Sequence, residues 1–181
     1  ASRNPIASVE DMQALKIRVL PTPGFVEAYN ALGTQPTPMA YGEVYSALET
    51  GTLDSVEINL TSIESEKYYE IGKSVTLTGH YFWPSFLLVN KARLDSMTPE
   101  QQAWMREAAA EIVEPQVMAV KDLDAKVLAH LEELKIPVII PSPEFKAALN
   151  EAFAPVVAQY EAADPLIAAF AAKAKTLSPS N

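Results

Sequence analysis

Leu15-Lys16-Ile17-Arg18-Val19-Leu20-Pro21-Thr22-Pro23-Gly24-Phe25 is the stretch whose reading decides the fold. Leu15 to Leu20 has the aliphatic and β-branched texture of a short strand, and Pro21 and Pro23 end it. Phe25 to Leu32 then shows helical apolar spacing and stops at Gly33, the residue type that accepts the left-handed turn after a helix. Gln35 to Met39 carries two prolines, which suits an edge strand or an extended connector. The strand-then-helix order repeats downstream. Tyr41 to Thr50 reads as a helix with Val44, Tyr45 and Leu48 on one face. Leu53 to Leu60 alternates as a strand does, and Thr61 to Ile71 is amphipathic. Ser74 to Phe82 and Phe86 to Asn90 are rich in strand-forming residues.

From Thr98 the texture changes. Thr98-Pro99-Glu100-Gln101 is a capping-box pattern with proline at the first helical position. A long helix to about Leu134 is expected, kinked or broken at Pro115. Ile136 to Ile140 reads as a buried strand. Helices then start at Ser142-Pro143 and Asp164-Pro165, with a loose tail after Thr176. Strands alternating with helices predict an α/β fold with a mostly parallel or mixed sheet.

The composition admits such a domain. Of 181 residues, 49% are apolar and 20% charged, enough for a sizeable core and too apolar for a disordered chain. The net charge of −9 disfavours nucleic acid or an anionic membrane surface as the main partner. With no cysteine, a disulfide framework, a cysteine zinc site and a cysteine nucleophile are excluded. No apolar run reaches the ~18 residues that span a bilayer, and Ala1 to Met12 does not read as a signal peptide.

Candidates for catalysis are few. The two histidines are His80 and His130. His130 sits beside Glu132 and Glu133 and reads as solvated. His80 reads as a core histidine bonded to backbone, or as a residue near a cleft. No nucleophile elbow, zinc-type histidine pair or phosphate loop is present. No catalytic residue, metal or cofactor is therefore expected, and the chain is not read as an enzyme. Arg18 has two readings. A strand arginine is commonly an edge or surface residue. At the C-terminal end of a strand in an α/β sheet, however, its planar fork would meet a ligand carboxylate with two parallel hydrogen bonds. Aromatic residues gather at Tyr41, Tyr45, Tyr68, Tyr69, Tyr81, Phe82, Trp83 and Phe86. Most read as core, and the loop from Tyr81 suits a pocket wall.

Several segments taken in order resemble one family. Leu15-Lys16-Ile17-Arg18-Val19, Ala31 to Met39, Tyr41 to Gly51 and Leu53 to Glu57 are similar, with matching spacing, to the DctP-type solute-binding proteins of TRAP (tripartite ATP-independent periplasmic) transporters. Lys67 to Glu70, Leu77 to His80 and Leu94 to Gln102 continue the resemblance, which spans nearly the whole chain.

The resemblance implies a periplasmic-binding-protein-like fold: a mixed sheet flanked by helices, with a long spine helix. It implies a periplasmic receptor that binds a small organic acid between two lobes, closes about a hinge and delivers the acid to a TRAP membrane permease. Arg18 falls on the family's carboxylate-clamping arginine. Tyr41 falls on a pocket-lining aromatic position, and Tyr81 and Trp83 on a loop of ligand contacts. Glu43 and Asp54 belong to the motif and read as structural.

Two departures stand out. The family usually has Asp-Gly-x-Glu-Asn, whereas this chain has Asp54-Ser55-Val56-Glu57-Ile58. Ile58 replaces an asparagine that often bonds the ligand. Either the neighbouring Asn59 takes its place, or the pocket has one polar contact fewer and suits a less hydroxylated acid. The second departure is extent. The chain matches most of lobe II (1–97), an inter-lobe helix region (98–135) and a C-terminal strand and helices (136–181), without the N-terminal lobe. Uncovered apolar surface on the spine helix would then favour self-association. A ligand-presenting sensor module, or a fragment with no affinity of its own, are the rival readings.

Overall fold

The computed structural model describes residues 1–81 and 84–177. Its first unit follows from the opening stretch. Strand β1 (Lys16–Val19) leads through Pro21 and Pro23 into helix α1 (Pro23–Ala31), and β2 (Gln35–Pro38) returns alongside. Gly33 makes the reversal at a φ of 74°, where a Cβ would be strained. Strand β2 pairs in parallel with β1, Arg18 opposite Thr37, and keeps its two prolines because it is an edge strand. Helix α2 (Val44–Glu49) follows, and β3 (Ser55–Val56) pairs in parallel with the other side of β1, Arg18 opposite Val56. The Asp54 carboxylate accepts the Lys16 N–H at 3.0 Å and pins β3 to β1.

A second parallel pair joins β4 (Val75–Thr76) to β5 (Val138–Ile139). Ser2 bridges the two groups. It exchanges hydrogen bonds with Ser74 at 3.0 and 3.1 Å and makes antiparallel bridges to both Ser55 and Ser74. The result is a mixed β layer, as expected.

The strands are shorter than their composition suggested. Leu53 to Leu60 contributes only Ser55–Val56, and Ser74 to Phe82 contributes only Val75–Thr76 within the described residues. Phe86 to Asn90 forms no strand. Phe86 and Leu88 are 76% and 86% exposed. Thr61 to Ile71 divides into α3 (Leu60–Ser65) and a 3-10 turn at Tyr68–Glu70, because Lys67 adopts a left-handed φ of 52°. A short helix, α4 (Lys91–Asp95), precedes the long one.

Helix α5 (Pro99–Glu133) starts on the expected capping box: the Gln101 N–H donates to Thr98 Oγ1 at 3.3 Å and the Thr98 N–H to Gln101 Oε1 at 3.0 Å. It passes Pro115 unbroken. A long exposed helix tolerates the one lost bond because water satisfies the orphaned carbonyl. Helix α6 (Pro143–Ala163) is capped by Ser142 Oγ, and α7 (Pro165–Leu177) starts where Asp164 accepts the Leu166 N–H. The tail expected to be loose lies, from residue 178, outside the described residues.

Two apolar clusters flank the β layer. Ile17 and Val19 face Tyr29, Leu32, Phe145 and Leu149 from α1 and α6. On the other side Val56 meets Val44, Leu48, Ile63, Tyr68, Val127 and Leu131, from α2, α3, the 3-10 turn and the end of α5. The first two thirds of α5 carry exposed Trp104, Ile112, Val113 and Met118. Among the described residues, no helix is long and apolar enough to cross a membrane.

Candidate functional site

Arg18 lies in the middle strand of β2-β1-β3, so the edge or surface reading is overturned: a strand on each side leaves it 3% exposed. Alternation along β1 puts Ile17 and Val19 against one cluster and turns Arg18 to the face of Val56. Its Nε donates to the Met39 carbonyl at 3.1 Å and its Nη1 to the Glu57 carbonyl at 3.3 Å. These carbonyls follow the C-terminal ends of β2 and β3, so both neighbouring strands orient one guanidinium. Two of its five N–H donors are used. Nη2 bonds nothing among the described residues, which leaves a planar donor edge for an anion at the C-terminal side of the parallel strands.

Beside it, Glu57 is buried, and its Oε1 accepts the Tyr81 hydroxyl at 2.8 Å. Its Oε2 has no partner among the described residues. Burial holds the Glu57 carboxyl above the usual carboxylate range, opposed by the Tyr81 hydrogen bond and the charge of Arg18. Burial and the nearby Glu57 also push the Tyr81 hydroxyl up. Tyr81 packs edge-on against Phe25, with ring centroids 5.1 Å apart.

His80 lies deeper, against the rings of Tyr29, Tyr81 and Phe153. Its Nδ1 pairs with Thr78 Oγ1 at 2.7 Å and its Nε2 with the Tyr29 hydroxyl at 3.2 Å. Its partners are side chains rather than the backbone, and it lines the cavity described below. Burial lowers its pKa from 6.5 to about 4, so the imidazole is neutral at pH 7.

A stability effect follows. Between about 4 and 6.5 the unfolded imidazole holds a proton that the folded one does not. The folded state therefore loses stability as the pH falls through that window, by up to about 3 kcal/mol. Urea denaturation at neutral pH and near the acid end should show a smaller loss for His80→Phe than for the wild type. Glu57 acts with the opposite sign in both proteins and cancels in that comparison. Equal losses would remove His80 from the account.

Glu57, His80 and Tyr81 line a cavity of about 390 Å³ between β3 and the segment after β4, and Arg18 is not among its lining residues. Its wall is mainly apolar, with Ile17, Ile58, Ile63, Val75 and Leu77. Ile58 and Asn59 both line it. The Asn59 amide is already engaged: it donates to Thr61 Oγ1 and accepts from Ser62 Oγ at 2.8 Å, at the start of α3. Tyr41 is 43% exposed, and its hydroxyl donates to Glu66 at 3.2 Å. Trp83 lies outside the described residues. His130 is not simply solvated: its Nδ1 is 3.0 Å from Glu64 and its ring meets Tyr69 edge-on, because α5 packs on α3 there. Sequence reasoning missed the side chain of Glu57. The available signal was one acid inside Val56-Glu57-Ile58, a short apolar stretch where burial is expected.

The model of DctP, the bacterial extracellular solute-binding proteins of family 7, matches residues 1–164. A solute-binding protein of Verminephrobacter eiseniae is 36% identical over 162 residues, which are 88% of this chain and 47% of that protein. The 2,3-diketo-L-gulonate-binding periplasmic protein of Escherichia coli is 33% identical over 138 residues, 76% of this chain and 42% of that one. The chain thus spans about half the length of the curated relatives it matches. A TRAP periplasmic solute-binding protein of Xanthobacter autotrophicus, solved with bound β-D-galacturonate, superposes with a TM-score of 0.91 at 30% identity, over 98% of this chain and 58% of that one. A family model matching residues 1–164 and a superposition over 98% of the chain agree: the chain belongs to the DctP family of bacterial extracellular solute-binding proteins.

Proposed function

We propose that this chain supplies the acid-gripping part of a periplasmic receptor that captures a small organic acid and delivers it to a TRAP-type permease. The observation that carries this is Arg18: buried, held by two carbonyls, with Nη2 unclaimed at the C-terminal side of three parallel strands. A charge so placed is costly unless an anion uses it, and a fork already oriented needs little ordering to bind one. Tyr41, Ile58, Asn59, Tyr81 and Trp83 are the proposed further contacts.

In this reading residues 1–97 form the ligand-binding lobe and 98–135 the helix that joins it to a second lobe. The contrast along α5, exposed at first and then seated through Val127 and Leu131, supports that division. Closure of the cleft around the acid is what the permease recognises. The test is calorimetric titration of the natural polypeptide that carries this chain with a panel of carboxylates and matched neutral alcohols. At least one acid should bind with micromolar or tighter affinity, and no neutral alcohol should. A panel without any binding acid would overturn the receptor reading.

A further inference from the structure

We propose that Tyr68 is a second donor to the ligand, its hydroxyl meeting the anion that Arg18 holds; this rests on the receptor reading above. Register and packing put the two residues on one side of the β layer. Arg18 stands opposite Val56 in the parallel pair of β1 and β3, and side chains at paired positions share a face. Val56 belongs to the apolar cluster that contains Tyr68. Several polar groups around these two residues are spent. The carbonyls of Met39 and Glu57 accept from Arg18, and the Tyr41 hydroxyl donates to Glu66 at 3.2 Å. Two are not. Arg18 Nη2 bonds nothing among the described residues, and neither does the Tyr68 hydroxyl, whose residue is 0% exposed.

Packing accounts for the Tyr68 ring but not for its hydroxyl. The ring opens the 3-10 turn after the left-handed Lys67 and stacks on Tyr45, with centroids 6.5 Å apart. Phenylalanine would fill the same space, and a buried hydroxyl without a partner is a standing cost. Its surroundings suit a donor. Burial pushes the Tyr68 pKa up to about 12, with Tyr41 and Glu66 adding to the rise and the nearby charge of Arg18 opposing it. The proton therefore stays on the oxygen at neutral pH. A guanidinium only donates, so Arg18 by itself offers that proton no acceptor. An anion on Nη2 does. Its oxygens accept from Arg18 and from Tyr68 together, and bonds to a charged acceptor are the strong ones.

The test titrates the natural polypeptide that carries this chain with galacturonate, glucuronate, galactonate and hexanoate. Tyr68→Phe should weaken each acid that the wild type binds by about tenfold or more, because the contact is to the carboxylate that all four share. The variant should melt no lower than the wild type, since it removes only an unmade hydroxyl. Tyr45→Phe is the control. It alters the stacked neighbour, whose hydroxyl donates to Glu70 at 3.3 Å, and should leave affinity within about twofold. The proposal is overturned if Tyr68→Phe binds the acids within about twofold of the wild type, or if Tyr45→Phe weakens them as much. It is also overturned if Tyr68→Phe melts several degrees lower or does not fold, because the hydroxyl would then be structural. Each of these leaves the receptor reading standing. Binding of none of the four acids by the wild type would overturn both.

Discussion

Replacing Arg18 with alanine should weaken acid binding by a hundredfold or more while leaving the fold in place. A charge-assisted hydrogen bond contributes about 1.5–3 kcal/mol, and a two-pronged one more, so the loss is at least ~100-fold in affinity. Part of that comes from geometry. Met39 and Glu57 hold the guanidinium through their carbonyls, so its free edge is set before the ligand arrives. Arg18→Lys tests this separately. Lysine keeps the charge and loses the fork, and one ammonium cannot satisfy both carbonyls and a carboxylate in the same plane. It should recover little of the affinity. Calorimetry reads the binding, and far-ultraviolet circular dichroism with thermal melts reads the fold. Affinity kept within threefold in Arg18→Ala would end the clamp assignment.

Leu131→Ala should destabilise the domain by about 2–5 kcal/mol, the usual cost of emptying a fully buried leucine site. Leu131 is 0% exposed and Val127 2%, and both pack with Val44, Leu48, Leu53, Tyr68 and Val75. They attach the end of α5 to the β layer, and the His130–Glu64 contact flanks them. At this chain length each kcal/mol moves the melting temperature by roughly 2–4 °C, so a drop of about 10 °C is expected. Val117→Ala is the internal control. It lies on the same helix but is 52% exposed, so its effect should stay within about 0.5 kcal/mol. Equal effects for the two would mean that α5 is held along its whole length. The same contrast bears on the expected self-association. Exposed Trp104, Ile112, Val113 and Met118 form apolar surface of the kind that drives it.

Much of this molecule was legible from local signals. Prolines around β1, the glycine at 33 and the capping box at Thr98 act within a few residues of themselves, and the structure keeps all three. The strand candidates fared worse. Phe86-Leu87-Leu88-Val89 has strand composition but pairs with no strand, and β propensity counts only where pairing and packing support it. Pro115 was expected to kink or break the long helix, and the helix runs unbroken through it from Pro99 to Glu133.

For the candidate site the division is similar. Chain order and residue type placed Arg18 near the end of a strand with two readings open, an edge residue or a carboxylate clamp, and it was the family resemblance that favoured the clamp. The burial of Arg18 needed β2 and β3 on either side, and those pairings join residues about 20 and 40 positions away. Glu57, His80 and Ser55 owe their character to packing. Whether a carboxyl keeps an unpartnered oxygen, or an imidazole loses its proton, depends on what surrounds it. The sequence by itself determined the α/β class, the capped start of the long helix and that Arg18 stands on the strand before the proline turn. Only the tertiary structure decided which polar atoms are shut away from water, because desolvation is a property of the assembled surroundings and not of any residue or its neighbours in the chain.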